Sequence, residues 1–154
     1  MIAYLLALLI GIVAGLRAFT APTAVSWAAH LGWLRLDDTW LAFLGYAWTP
    51  WILTLLATGE LVTDQLPSTP SRTVPVQFGA RIAMGALSGA AFGAAGGSLL
   101  FGAVAGIVGA VIGTLGSRTA RARLAAVFGG DPPAALIEDA LAILAALLIV
   151  TVIP

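Results

Sequence analysis

IAMGALSGAAFGAAGGSLLFGAVAGIVGAVIGTLGS, residues 82–117, contains no charged side chain in 36 consecutive positions. A bilayer-spanning helix needs about 20 apolar residues, so this stretch is too long for one span and long enough for two. Gly96-Gly97-Ser98 supplies the turn between them. The first half carries Gly85, Gly89, Gly93 and Gly97 at four-residue spacing, which puts them on one helix face; the second carries Gly102, Gly106, Gly109 and Gly113. Small residues repeated this way let two backbones approach closely, within a subunit or across a dimer, so these glycines are read as packing positions.

The whole chain agrees with that reading. Of 154 residues, 60% are hydrophobic and 9% charged, where a water-soluble domain carries about 25% charged residues. Seven arginines balance seven acids and lysine is absent, so no basic face exists to hold a nucleic acid. There is no cysteine and one histidine, His30, which removes disulfides, thiolate chemistry and most zinc sites, and no cofactor is implied. Without a nucleophile–base constellation the expectation is a protein that is not an enzyme.

Outward from the glycine region, the pattern predicts an all-α transmembrane bundle with spans near 2–20, 41–64, 77–96, 98–120 and 134–153. Residues 22–34 are too short to cross and read as a half-helix or interfacial helix after Pro22. Thr49-Pro50 supplies an N-cap followed by proline, leaving open whether the second span starts there or at Trp40. The prolines and hydroxyls of 66–76 mark an irregular loop, and Arg118, Arg121 and Arg123 close the fourth span. Five alternating spans would place the arginine-rich loops and the N-terminus in the cytoplasm and the C-terminus outside. An echo between GLRAFTAPTA (15–24) and GARIAMGALS (79–88), each followed by an acidic pair, suggests an internal repeat.

Ionisable groups inside a bilayer cost about 2.5–3.5 kcal/mol each at its centre, so they turn inward and pair. Glu60, Asp64, Arg81, Arg118, Glu138 and Asp139 fall at similar depth on four helices. They form either a site for an ion or small solute, with Arg17, Arg81 and Arg118 setting the charge balance or contacting an anion, or a set of neutralised pairs that locks the helices; Arg72, among the hydroxyls of the 66–76 loop, is placed either to receive an anion or simply to be solvated. Oxygen-only ligands would suit magnesium, calcium or manganese. Spacing alone favours Arg17 snorkelling to the opposite face near Asp37 and Asp38. The alternative is a discontinuous helix in which Arg17, the Thr20 hydroxyl and freed backbone amides receive an anion or carboxylate. His30 reads as an interface residue.

These motifs are familiar together. GLRAFTAPTAVSWAAHLGWL (15–34), LAFLGYAWTPW (41–51), GELVTDQLPSTPSRTVP (59–75), GARIAMGALSGAAFG (79–93) and IEDALAI (137–143) resemble a bacterial family of small integral membrane proteins classed as a domain of unknown function, DUF4126. The matching positions are Gly15, Arg17, Thr20, Pro22, Glu60, Asp64, Pro67, Pro70, Arg72, Pro75, Arg81, Glu138 and Asp139. Gln65 stands where relatives would be expected to carry a basic residue. The resemblance implies a multi-pass inner-membrane protein and supplies no substrate. The expected function is a transporter or channel, as a homodimer in the lipid bilayer, with a structural or accessory membrane protein as the alternative.

Overall fold

The computed structural model describes residues 1–66 and 74–153, and all regular structure among them is helical. Six α-helices run in order: α1 (Ile2–Leu16), α2 (Thr20–His30), α3 (Thr49–Thr63), α4 (Pro75–Ala95), α5 (Leu99–Phe128) and α6 (Asp131–Thr151), with a short 3-10 helix over Trp40–Gly45. Leu99–Phe128 and Asp131–Thr151 are long and apolar enough to cross a membrane; α1 is apolar but shorter.

The expected 2–20 span ends early. α1 stops at Leu16 and α2 begins at Thr20, so the half-helix starts two residues before Pro22. Pro22 therefore lies in the first turn of α2, where its missing N–H breaks no helical bond. The 41–64 segment divides at the 3-10 helix, and α3 starts at the Thr49-Pro50 end. Its N-cap residue is Trp48 rather than Thr49, whose hydroxyl instead donates to the Phe43 carbonyl at 2.6 Å. The arginines do not close α5. Alanine and arginine sustain a helix, and the stop comes at Gly129, whose φ of +69° places it in the left-handed region that terminates helices.

The glycine faces meet inside one chain. A Cβ on Gly85 would lie 2.7 Å from the Ala110 Cβ, one on Gly89 2.8 Å from the Gly106 Cα, and one on Gly93 2.7 Å from the Gly102 Cα, so α4 and α5 touch backbone to backbone. Farther along α5, a Cβ on Gly109 would meet the Ile12 nitrogen at 2.8 Å and one on Gly113 the Gly15 Cα at 3.1 Å, which seats α1 equally closely. Gly97 is not among them: it takes φ +89° in the α4–α5 turn, with nothing within 4 Å of its Cβ position.

The break between α1 and α2 reverses the chain. The Tyr4 hydroxyl donates to the Gly96 carbonyl (2.8 Å) near the start of α1, while Arg81 lies beside its last residues. α2 then returns toward the first end, where Gly32, Arg35, Ala95 and Ile153 line one cavity. The two termini thus share an end, called the terminal end below; five alternating spans had placed them apart. The opposite end, where α5 passes into α6, is the arginine end. The echo between 15–24 and 79–88 falls on unlike elements, a chain reversal in one case and the uninterrupted middle of α4 in the other.

Candidate functional site

A helix that stops inside a bundle leaves carbonyls without partners, and one that starts there leaves N–H groups. At the α1–α2 break both are met by side chains. Arg81 Nη1 donates to the Gly15 and Leu16 carbonyls at 2.8 and 2.6 Å, and the Thr114 hydroxyl reaches the Gly15 carbonyl at 3.2 Å. Across the break, the Ala18 and Phe19 N–H groups donate to Glu60 Oε1 and Oε2 at 2.7 and 2.9 Å. A cation thus caps the C-terminus of α1 and an anion the N-terminus of α2, the signs that the two helix dipoles favour.

Arg17 lies between these caps in an extended conformation, its side chain 0% exposed. It does not snorkel, and it is far from pairing with the exposed Asp37 and Asp38. Its Nε donates to Asp139 Oδ1 at 2.6 Å, and its terminal nitrogens form ion pairs with Asp64 and Asp139. Arg81 Nη2 lies 3.8 Å from Asp64 and 4.0 Å from Glu60, and Gln65 Nε2 reaches Asp139 at 3.5 Å. Two guanidiniums therefore interleave with three carboxylates drawn from α3 and α6.

Glu138 is buried beside this layer but turns to Arg121, at 3.5 Å, and Arg121 also makes a two-pronged pair with Asp131 at 2.8 and 2.5 Å. Arg118, expected in the layer, is exposed and stands outside it, because its position on α5 faces away from the bundle. Arg72 lies outside the described residues. Thr20 is buried, and its hydroxyl forms no hydrogen bond among the described residues. His30 is exposed at the end of α2, with Nδ1 3.1 Å from the Gly45 carbonyl. Thr114 was not anticipated. Its only signal is a hydroxyl inside a run of glycine and aliphatic residues, and its own helix also takes a bond from it, at the Ala110 carbonyl (2.8 Å).

A cavity of about 490 Å³ opens against the layer between α3 and α4, lined among others by Ala18, Phe19, Glu60, Thr63, Asp64 and Gln77. Both carboxylates of α3 face it. Among the described residues no group of three acids or histidines is placed to hold a metal ion. The amides expected to receive an anion are occupied by the chain's own Glu60.

The family model of the domain of unknown function DUF4126 matches residues 4–153, and the chain belongs to that family. No curated protein and no solved structure matches it.

Proposed function

We propose that this member of the DUF4126 family is a multi-pass protein of the bacterial inner membrane that passes a proton or small monovalent cation through the Glu60–Asp64–Asp139 layer. The observation that carries this reading is the interrupted α1–α2 hairpin, whose two caps and buried Arg17 converge on a cavity faced by Glu60 and Asp64. Interrupted helices that line a cavity are a recurrent way of building ion sites in transporters. The Glu60 and Asp64 carboxylates that line the cavity favour a cation as the mobile partner.

The bilayer is supported by what the helices turn outward. Leu55, Leu100 and Leu148 are 74%, 71% and 66% exposed on three different helices, and so many large apolar side chains turned outward fit a lipid surrounding. Arg118, Arg121 and Arg123 gather at the arginine end, against Arg35 at the other. By the positive-inside rule the arginine end then faces the cytoplasm and both termini face out, the reverse of the sequence-based expectation for the N-terminus. A homodimer would have to use a surface other than Gly85, Gly89, Gly93, Gly106, Gly109 and Gly113, since these are spent within the chain.

The alternative, a purely structural layer, is favoured by Glu60, both of whose oxygens are engaged by the backbone. Glu60→Gln would therefore disturb the fold under either reading. Asp64→Asn is the sharper probe, because Arg17 keeps Asp139. In proteoliposomes with imposed proton, sodium or potassium gradients, wild type is expected to give selective flux, and Asp64→Asn to lose at least tenfold of it while remaining folded. Absence of flux for every ion in the wild type would leave the structural reading.

A further inference from the structure

A second cavity, of about 460 Å³, runs along α2 between α3 and α6. Thr20 closes its inner end, Ala57, Thr58 and Ala146 form its walls, and Leu31 and Trp33 stand at the terminal end. No charged side chain lines it. Thr20 to Leu31 spans about 16 Å at 1.5 Å per helical residue, so the cavity is elongated along the helix. Leu147 on its α6 side is 53% exposed, and Trp33 is 52% exposed, which makes the mouth apolar and outward-facing.

Trp33 also borders a third cavity, of about 440 Å³, shared with Gly32, Leu34, Arg35, Ala95 and Ile153. Arg35 is exposed there and has no partner among the described residues. Asp37 and Asp38 follow it in the chain but line neither cavity. An apolar slot therefore meets a chamber lined by an exposed guanidinium, with a tryptophan at the junction. Tryptophan prefers this depth in a bilayer, where one side of the ring is apolar and the other wet.

We infer that the two cavities together bind one anionic phospholipid of the surrounding bilayer, with an acyl chain along α2 and the phosphate on Arg35. The apolar slot disfavours a charged solute, and the exposed arginine complements a negative headgroup. The inference rests on the membrane reading above and is independent of transport through the Glu60 layer.

The test uses the full chain in vesicles of phosphatidylcholine and phosphatidylglycerol in equal amounts, extracted gently and weighed intact by mass spectrometry. Wild type is expected to retain one phosphatidylglycerol in roughly fivefold preference, the factor for one arginine near an anionic headgroup. Arg35→Gln, an exposed position, is expected to retain either lipid without preference. Thr58→Trp, which fills the slot from its exposed wall, is expected to retain neither. Equal retention of both lipids by the wild type, unchanged preference in Arg35→Gln, or unchanged retention in Thr58→Trp would each overturn the inference. Failure of the chain to insert into vesicles at all would instead remove the membrane reading.

Discussion

Burying a guanidinium costs several kcal/mol unless its charge and donors are met, and Arg17 is met by carboxylates from two helices that are far apart in the chain. Removing the cation takes Arg17 from both Asp64 and Asp139 and leaves Arg81, at 3.8 Å, beside Asp64. Arg17→Met is therefore expected to cost about 3–5 kcal/mol of stability, the range for stranding one side of a buried pair. Adding Asp64→Asn and Asp139→Asn should return much of that loss, because the neutral amides need no cation beside them. Thermal unfolding of the three proteins in one detergent checks this, and a single variant as stable as wild type would mean that the layer is not held by charge. The sequence made Glu60, Asp64, Arg81 and Asp139 visible because ionised groups in an apolar chain must find one another. Of the two readings of Arg17, spacing favoured snorkelling over the discontinuous helix for a physical reason: its partners depend on a chain reversal at Ala18–Phe19, and neither residue is a glycine or proline. Pro22, three residues beyond, serves α2 as a first-turn residue.

At the scale of the helix, the glycines of α5 divide into those that carry another backbone and those that do not. A Cβ on Gly106 would stand 3.0 Å from the Gly89 Cα and 2.9 Å from the Gly85 carbonyl carbon, atoms that cannot rotate away. Gly106→Ala is accordingly expected to push α4 from α5 and cost about 1–3 kcal/mol or more, as overpacking does. Gly116, ten residues on, has nothing within 4 Å of its Cβ position, so Gly116→Ala should stabilise by roughly 0.5–1 kcal/mol through helix propensity alone. Opposite shifts in melting temperature would confirm the division; shifts of the same sign would refute it. Four-residue glycine spacing disclosed the faces but not their partners, since α1 offers only Gly11 and Gly15 to the α5 face. The end of α5 was misread because arginine marks a membrane edge without breaking a helix, and Gly129, not Arg123, holds the left-handed conformation.

At the scale of the whole molecule, the short α2 decides the topology. Read as a half-helix that does not return, it leaves five crossings and termini on opposite sides; as the second arm of a hairpin it brings Ile153 beside Ala95, and Tyr4 bonds to Gly96. Length alone could not settle this, because the 11 residues of α2 reach about 16 Å; its direction follows from Glu60 at its N-terminus and from the cavity that Gly32 and Arg35 share with Ala95 and Ile153 beyond its C-terminus. The cysteine-free chain permits a direct check with single cysteines. Ile2→Cys, Val152→Cys and Val127→Cys all lie at exposed positions, the first two at the terminal end and the third near the end of α5. An impermeant maleimide added outside intact spheroplasts is expected to label Ile2→Cys and Val152→Cys and to reach Val127→Cys only after lysis. If Ile2→Cys and Val152→Cys instead reacted from opposite sides, α2 would not return through the bundle, and the capping of its N-terminus by Glu60 could not form as described. Labelling of Val127→Cys from outside, with both termini protected, would keep the hairpin and invert the molecule. The cavity at Glu60 and Asp64 would then open outward, making it an entry for external cations rather than a cytoplasmic one.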